Sequence, residues 1–86
     1  MTRKDDLLAV IEILQDLQED SSISKSLKKV IEDVLNILSK HDSDIRIQCS
    51  KALEEFEKIS DDSSIDPYMR TQVWNIVSML ENISSS

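Results

Sequence analysis

The feature that most constrains how this chain can fold is a repeat. Residues Asp20 to Leu38 read DSSISKSLKKVIEDVLNIL, and residues Asp62 to Leu80 read DSSIDPYMRTQVWNIVSML, an offset of 42 residues. The tetrad DSSI recurs, followed by a capping residue (Ser24, Asp66), an apolar residue (Leu27, Met69) and a base (Lys28, Arg70). Ile31 then falls on Val73, Val34 on Ile76, Leu35 on Val77 and Leu38 on Leu80. The offset carries upstream without a gap, placing Leu7 on Cys49, Val10 on Ala52, Ile11 on Leu53, Leu14 on Phe56 and Leu17 on Ile59. A stripe or a tetrad alone recurs by chance. The two in register describe a duplicated helix–turn–helix hairpin.

Helical periodicity supports the same division, because apolar residues return every three or four positions in four segments. The first runs from about Lys4 to Glu19, with Leu7, Val10, Ile11, Leu14 and Leu17 on one stripe. The second runs from about Lys25 to Ser39, with Leu27, Val30, Ile31, Val34 and Leu38. The third spans Asp44 to Ser60, with Ile45, Cys49, Ala52, Leu53, Phe56 and Ile59; the fourth spans Pro67 to Ile83, with Val73, Ile76, Val77, Leu80 and Ile83. Asp66-Pro67 is the clearest boundary: proline fits the first helical position and pushes Asp66 into an extended conformation suited to capping. Ser24 is the equivalent cap for the second helix, Asp42 or Ser43 is expected to cap the third, and Thr2 the first.

A chain of 86 residues accommodates one domain. The expectation is therefore an all-α fold over residues 1–86, with one hairpin at about 4–39 and a second at about 44–83. Two such hairpins close against each other as an up-and-down four-helix bundle. The alternative is a HEAT-like stacked pair, since a spacing of 42 falls in that range. Solenoids need about three or more repeats to build a core, so closure is favoured.

Composition removes whole classes of chemistry. The chain has no glycine, and phosphate-binding loops, dinucleotide fingerprints and nucleophile elbows all depend on it. Its net charge of −7 opposes nucleic-acid binding, and the trio Lys25, Lys28 and Lys29 is offset by Glu32 and Asp33 within a turn. No apolar run approaches the roughly 18 residues of a membrane-spanning helix, and no secretory leader is recognisable. One cysteine forms no internal disulfide, which fits a reducing, cytoplasmic setting.

Few constellations carry chemistry. Cys49 and His41 are a nucleophile and a base, but Cys49 lies on a core stripe while His41 belongs to a turn, so catalysis is not expected. Glu19, Asp20, Asp61, Asp62 and Asp66 gather at one end of a closed bundle and offer oxygen ligands to a divalent cation. No EF-hand spacing is present, and Asp66 is already a cap. A metal- or small-ligand-binding domain using this acidic end is the alternative function; no cofactor or metal site is assigned. Lys51–Glu55 and Glu54–Lys58 at i,i+4 describe a solvated outer face on the third helix.

Trp74 departs from this pattern. Its repeat equivalent is Glu32, a residue that should face water, so the symmetric core does not require an aromatic there. It serves either as an amphipathic rim on the core or as an anchor for a partner. The surrounding stretch, ISDDSSIDPYMRTQVWNIVSMLENI from Ile59 to Ile83, closely resembles the C-terminal signature of a small archaeal family, uncharacterised protein family 0147. The matching positions are Ile59, Ser60, Asp62, Ile65, Arg70, Thr71, Trp74, Asn75, Ile76, Val77 and Ser78. One departure is visible, since the family pattern places proline in the first turn where this chain has Ser24-Lys25. The resemblance implies a compact four-helix fold similar to bromodomain-like bundles, and it brings no activity and no catalytic residues.

The matching residues single out Arg70, Thr71, Trp74 and Asn75 as an interaction patch on the fourth helix. Arg70 and Trp74 are i,i+4 neighbours, which allows the guanidinium to stack on the ring. The expected function is a small, non-catalytic protein-interaction or structural module, with a protein partner or a second copy of itself, a homodimer, on the outer face of that helix.

Overall fold

A computed structural model describes residues 3–40 and 44–85. These residues form α1 (Arg3–Gln18), α2 (Lys25–Leu38), α3 (Ile45–Glu57) and α4 (Pro67–Ser85), with no strand among them. The fold is all-α.

Each helix start has a local cause. Ser24 is extended (φ −69°, ψ 155°), and its Oγ accepts the Leu27 amide at 3.2 Å, satisfying a first-turn donor that has no helical partner. Asp66 does the same for α4, accepting the Met69 amide at 2.8 Å ahead of Pro67. At α3 the cap is Asp44, whose Oδ1 accepts the Arg46 amide at 2.8 Å. This corrects the expectation of Asp42 or Ser43, which lie outside the described residues, as do His41 and Thr2. In the first turn of α1, Asp5 and Asp6 complement the positive end of the helix dipole.

The end of α3 also differs from the periodicity. The helix stops at Glu57, and the amides of Lys58, Ile59 and Ser60 bond to the carbonyls of Glu55, Phe56 and Glu57. These i→i−3 bonds tighten the last turn, so Ile59 stays buried although it is no longer helical. On the outer face, Glu55 pairs with Lys58 at i,i+3 and 2.6 Å, where the sequence pointed to Lys51 as its partner.

The two DSSI turns are built alike. Asp20 Oδ1 accepts the Ser22 amide at 2.9 Å and the Ser22 hydroxyl at 2.7 Å. Asp62 Oδ1 accepts the Ser64 amide at 2.9 Å and the Ser64 hydroxyl at 2.6 Å. Each carboxylate adds side-chain bonds to a turn that is also closed by a backbone bond, Ile23 N to Asp20 O at 3.3 Å and Ile65 N to Asp62 O at 3.4 Å.

One apolar cluster joins all four helices. Leu7, Val10, Leu14 and Leu17 enter from α1, and Leu27, Val30, Ile31, Val34 and Leu38 from α2. Cys49, Ala52 and Phe56 come from α3, and Met69, Ile76, Leu80 and Ile83 from α4. The helices touch in the cyclic order α1–α2–α3–α4–α1, with α3 and α4 sharing the most extensive pairing. The Cα radius of gyration is 12.2 Å, against about 12 Å expected for a compact chain of this length.

Gln48 is buried within this frame, a position the sequence reading did not assign to the core. Its Nε2 donates to the carbonyl of Ile37 at 2.9 Å and to that of Lys40. It thereby ties the start of α3 to the end of α2, where carbonyls lack helical partners.

Candidate functional site

On α4, Arg70, Trp74, Val77 and Glu81 follow the spacing i, i+4, i+7 and i+11 and form one stripe. Facing it from α3 are Leu53, Phe56 and Glu57, with Ser60 just beyond the helix end. Between the two stripes lies an open groove of about 530 Å³. Phe56 is buried at its floor, whereas Leu53, Val73 and Val77 are half-buried in its walls. Those three residues were expected as full core members, and they remain partly open because they border the groove. Ile31, the repeat counterpart of Val73, is fully buried.

Trp74 stands on the α4 wall with 78% of its surface exposed. That is far more than a residue sealing the edge of a core would show. The other three predicted patch residues, Arg70, Thr71 and Asn75, line the same groove. The structure therefore brings all four together on one wall.

Their chemistry differs. The guanidinium of Arg70 is aimed at the α3–α4 turn, with Nε donating to Ile65 O at 3.3 Å, Nη1 to Ser60 O at 3.3 Å and Nη2 to Asp62 O at 2.6 Å. Arg70 thus fastens the turn to α4. Thr71 bonds back through Oγ1 to Pro67 O at 3.1 Å, a bond internal to the helix. Asn75 is exposed. The opposite wall on α3, with Leu53, Phe56 and Glu57, and the residue Glu81 at the far end of the α4 wall escaped sequence reasoning as parts of a site; the i, i+4, i+7, i+11 spacing from Arg70 was the signal for Glu81.

The acidic end uses its carboxylates structurally. Asp20, Asp62 and Asp66 are the acceptors in the two turns and the α4 cap described above. The Ser22 hydroxyl and amide hold the Asp20 carboxyl below its ordinary value. The Ser64 hydroxyl and amide do so for Asp62, with a smaller contribution from the Arg70 charge. Among the described residues, no three His, Cys, Asp or Glu side chains assemble into a group able to hold a metal ion. Cys49 is fully buried, and burial pushes its thiol above the ordinary value, away from the reactive thiolate.

Together these observations define a small four-helix protein with an open apolar groove on its last two helices. The chain belongs to the uncharacterised protein family UPF0147, which it matches over residues 1–83. It is 35% identical over 74 residues to a UPF0147 protein of Methanothermobacter thermautotrophicus, covering 86% of this chain and 72% of the relative. A UPF0147 protein of Archaeoglobus fulgidus is 28% identical over 81 residues, covering 94% and 92%. One of Thermoplasma volcanium is 26% identical over 77 residues, covering 90% and 86%. No solved structure matches the chain. Among the described residues, no helix is long and apolar enough to cross a membrane.

Proposed function

We propose that this chain is a non-catalytic protein-interaction module whose docking face is the α3–α4 groove. The observation that carries the reading is Trp74, 78% exposed on the wall of an apolar groove. Tryptophan left in water beside a hydrophobic trough is the residue type that dominates binding energy when a partner covers it. The reading is supported by the difference between the two hairpins, taken as repeats of one unit. The first has Glu32 where the second has Trp74, and a fully buried Ile31 where the second has a half-buried Val73. A cytoplasmic location fits its single, buried, unpaired cysteine.

The test uses the full chain and its Trp74→Ala variant as baits in extract from the native cell. Circular dichroism checks that the variant folds. At least one protein should be retained by wild type and lost with the variant. Identical recovery by both baits overturns the reading. Light scattering of the purified chain decides whether the retained partner is a second copy.

A further inference from the structure

We infer that the occupant of the α3–α4 groove is a cationic amphipathic helix of a partner protein; this rests on the docking role proposed above and specifies what docks. Recognition of a peptide by strand addition needs a free sheet edge, and the described residues contain no strand. Capture of an acidic or phosphorylated segment needs a cluster of free arginines. The arginine at this groove, Arg70, already spreads its donors over three turn carbonyls. A second copy of the chain would bring a net charge of −7 against another −7. A helix laid into the trough between two helices uses the apolar groove directly.

The groove has the dimensions for it. From Arg70 to Glu81 the α4 wall spans about 16 Å, three turns at roughly 1.5 Å per residue. Its i, i+4, i+7, i+11 stripe is a ridge of the kind that interdigitates with the ridges of a neighbouring helix. Phe56, Val77 and Leu53 supply the apolar floor and walls, and Trp74 is the surface an incoming helix would cover.

Charge selects the kind of helix. Glu57 on the α3 rim and Glu81 on the α4 rim are both exposed. Lys58, next in the chain to Glu57, is committed to Glu55 at 2.6 Å. The rim carboxylates therefore face the space where the flanks of a docked helix would lie. The −7 net charge adds a field that favours positively charged partners at encounter.

The experiment titrates the full chain with two synthetic helical peptides of about four turns. Both carry leucines at i, i+4, i+7 and i+11; one flanks them with lysines and the other with glutamates. Trp74 is the only tryptophan, so its emission reads occupancy of the groove directly. The lysine peptide should shift that emission to shorter wavelength and bind roughly tenfold more tightly than the glutamate peptide, as expected for exchanging two exposed ion pairs for like-charge contacts. The preference should shrink with added salt and disappear in the double variant Glu57→Gln/Glu81→Gln. Equal binding of both peptides overturns the cationic partner and leaves the docking role standing. Failure of the lysine peptide to move the Trp74 emission overturns the inference, as does emission that changes with protein concentration alone, which marks self-association. The bait comparison above fails independently, since it does not depend on the charge of the partner.

Discussion

Replacing Arg70 with alanine tests whether this residue is chiefly a fastener of the α3–α4 turn. The substitution removes three donors, to Ile65 O, Ser60 O and Asp62 O, at 3.3, 3.3 and 2.6 Å. Two of these carbonyl contacts are exposed, so water replaces much of what is lost and each bond contributes toward the lower end of the usual range. The summed loss is about 1.5–2 kcal/mol. For a domain of this size that corresponds to a fall in Tm of roughly 6–16 °C. Urea unfolding followed by far-ultraviolet circular dichroism measures it. Two controls bear on the reasoning. Lys28→Ala removes the repeat counterpart, an exposed residue, and should change stability by less than about 0.5 kcal/mol. Arg70→Lys keeps the charge but offers one compact ammonium in place of a planar fork, so it should recover less than about half of the loss. Arg70→Ala within about 0.5 kcal/mol of wild type, or complete rescue by lysine, refutes the fastener.

Gln48→Leu should destabilise by about 1–3 kcal/mol, because the carbonyls of Ile37 and Lys40 lose a buried donor; calorimetry or urea unfolding reads this directly. The Asp20 and Asp62 carboxyls sit below the ordinary value of 3.8, so the unfolded chain takes up protons before the native one as pH falls. Stability conferred by these carboxylates is present above pH 3.8 and is lost as pH falls through their depressed native values. A double Asp20→Asn/Asp62→Asn variant should show a flatter acid limb in melting temperature against pH. Cys49 has the opposite sign: its buried thiol ionises above the ordinary 9.0, so its contribution declines as pH rises past that value. A thiol reagent should label it at the rate at which the chain opens, and rapid labelling of the folded protein would contradict its burial.

The buried stripes were legible because helical burial follows period alone. Every apolar residue assigned to the α2 stripe is buried, and the Ser24 and Asp66 caps follow from local side-chain chemistry. The α3 boundaries were not legible in the same way. Its N-cap was expected at Asp42 or Ser43, yet Asp44, equally capable by type, carries the bond. Its C-terminal end continued the apolar rhythm through Ile59, yet tightened bonds end the helix at Glu57. Gln48 was overlooked because a polar side chain beside Cys49 reads as surface. Its carbonyl partners lie 8 and 11 residues away in sequence, on α2 and just past it. The candidate site was half visible: the Trp74–Glu32 mismatch marked one wall. The groove itself depends on how α3 and α4 pair with each other, which no local pattern encodes.

No described residue has positive φ. The chain crosses from α1 to α2 and from α3 to α4 entirely on backbone conformations open to ordinary L-residues, with the bends held by the carboxylates of Asp20 and Asp62. Over evolutionary time, these connections therefore place no steric veto on most substitutions. A lineage built this way can drift to the 25–35% identity seen among its archaeal relatives while the bends survive, provided a side-chain acceptor stays at each turn.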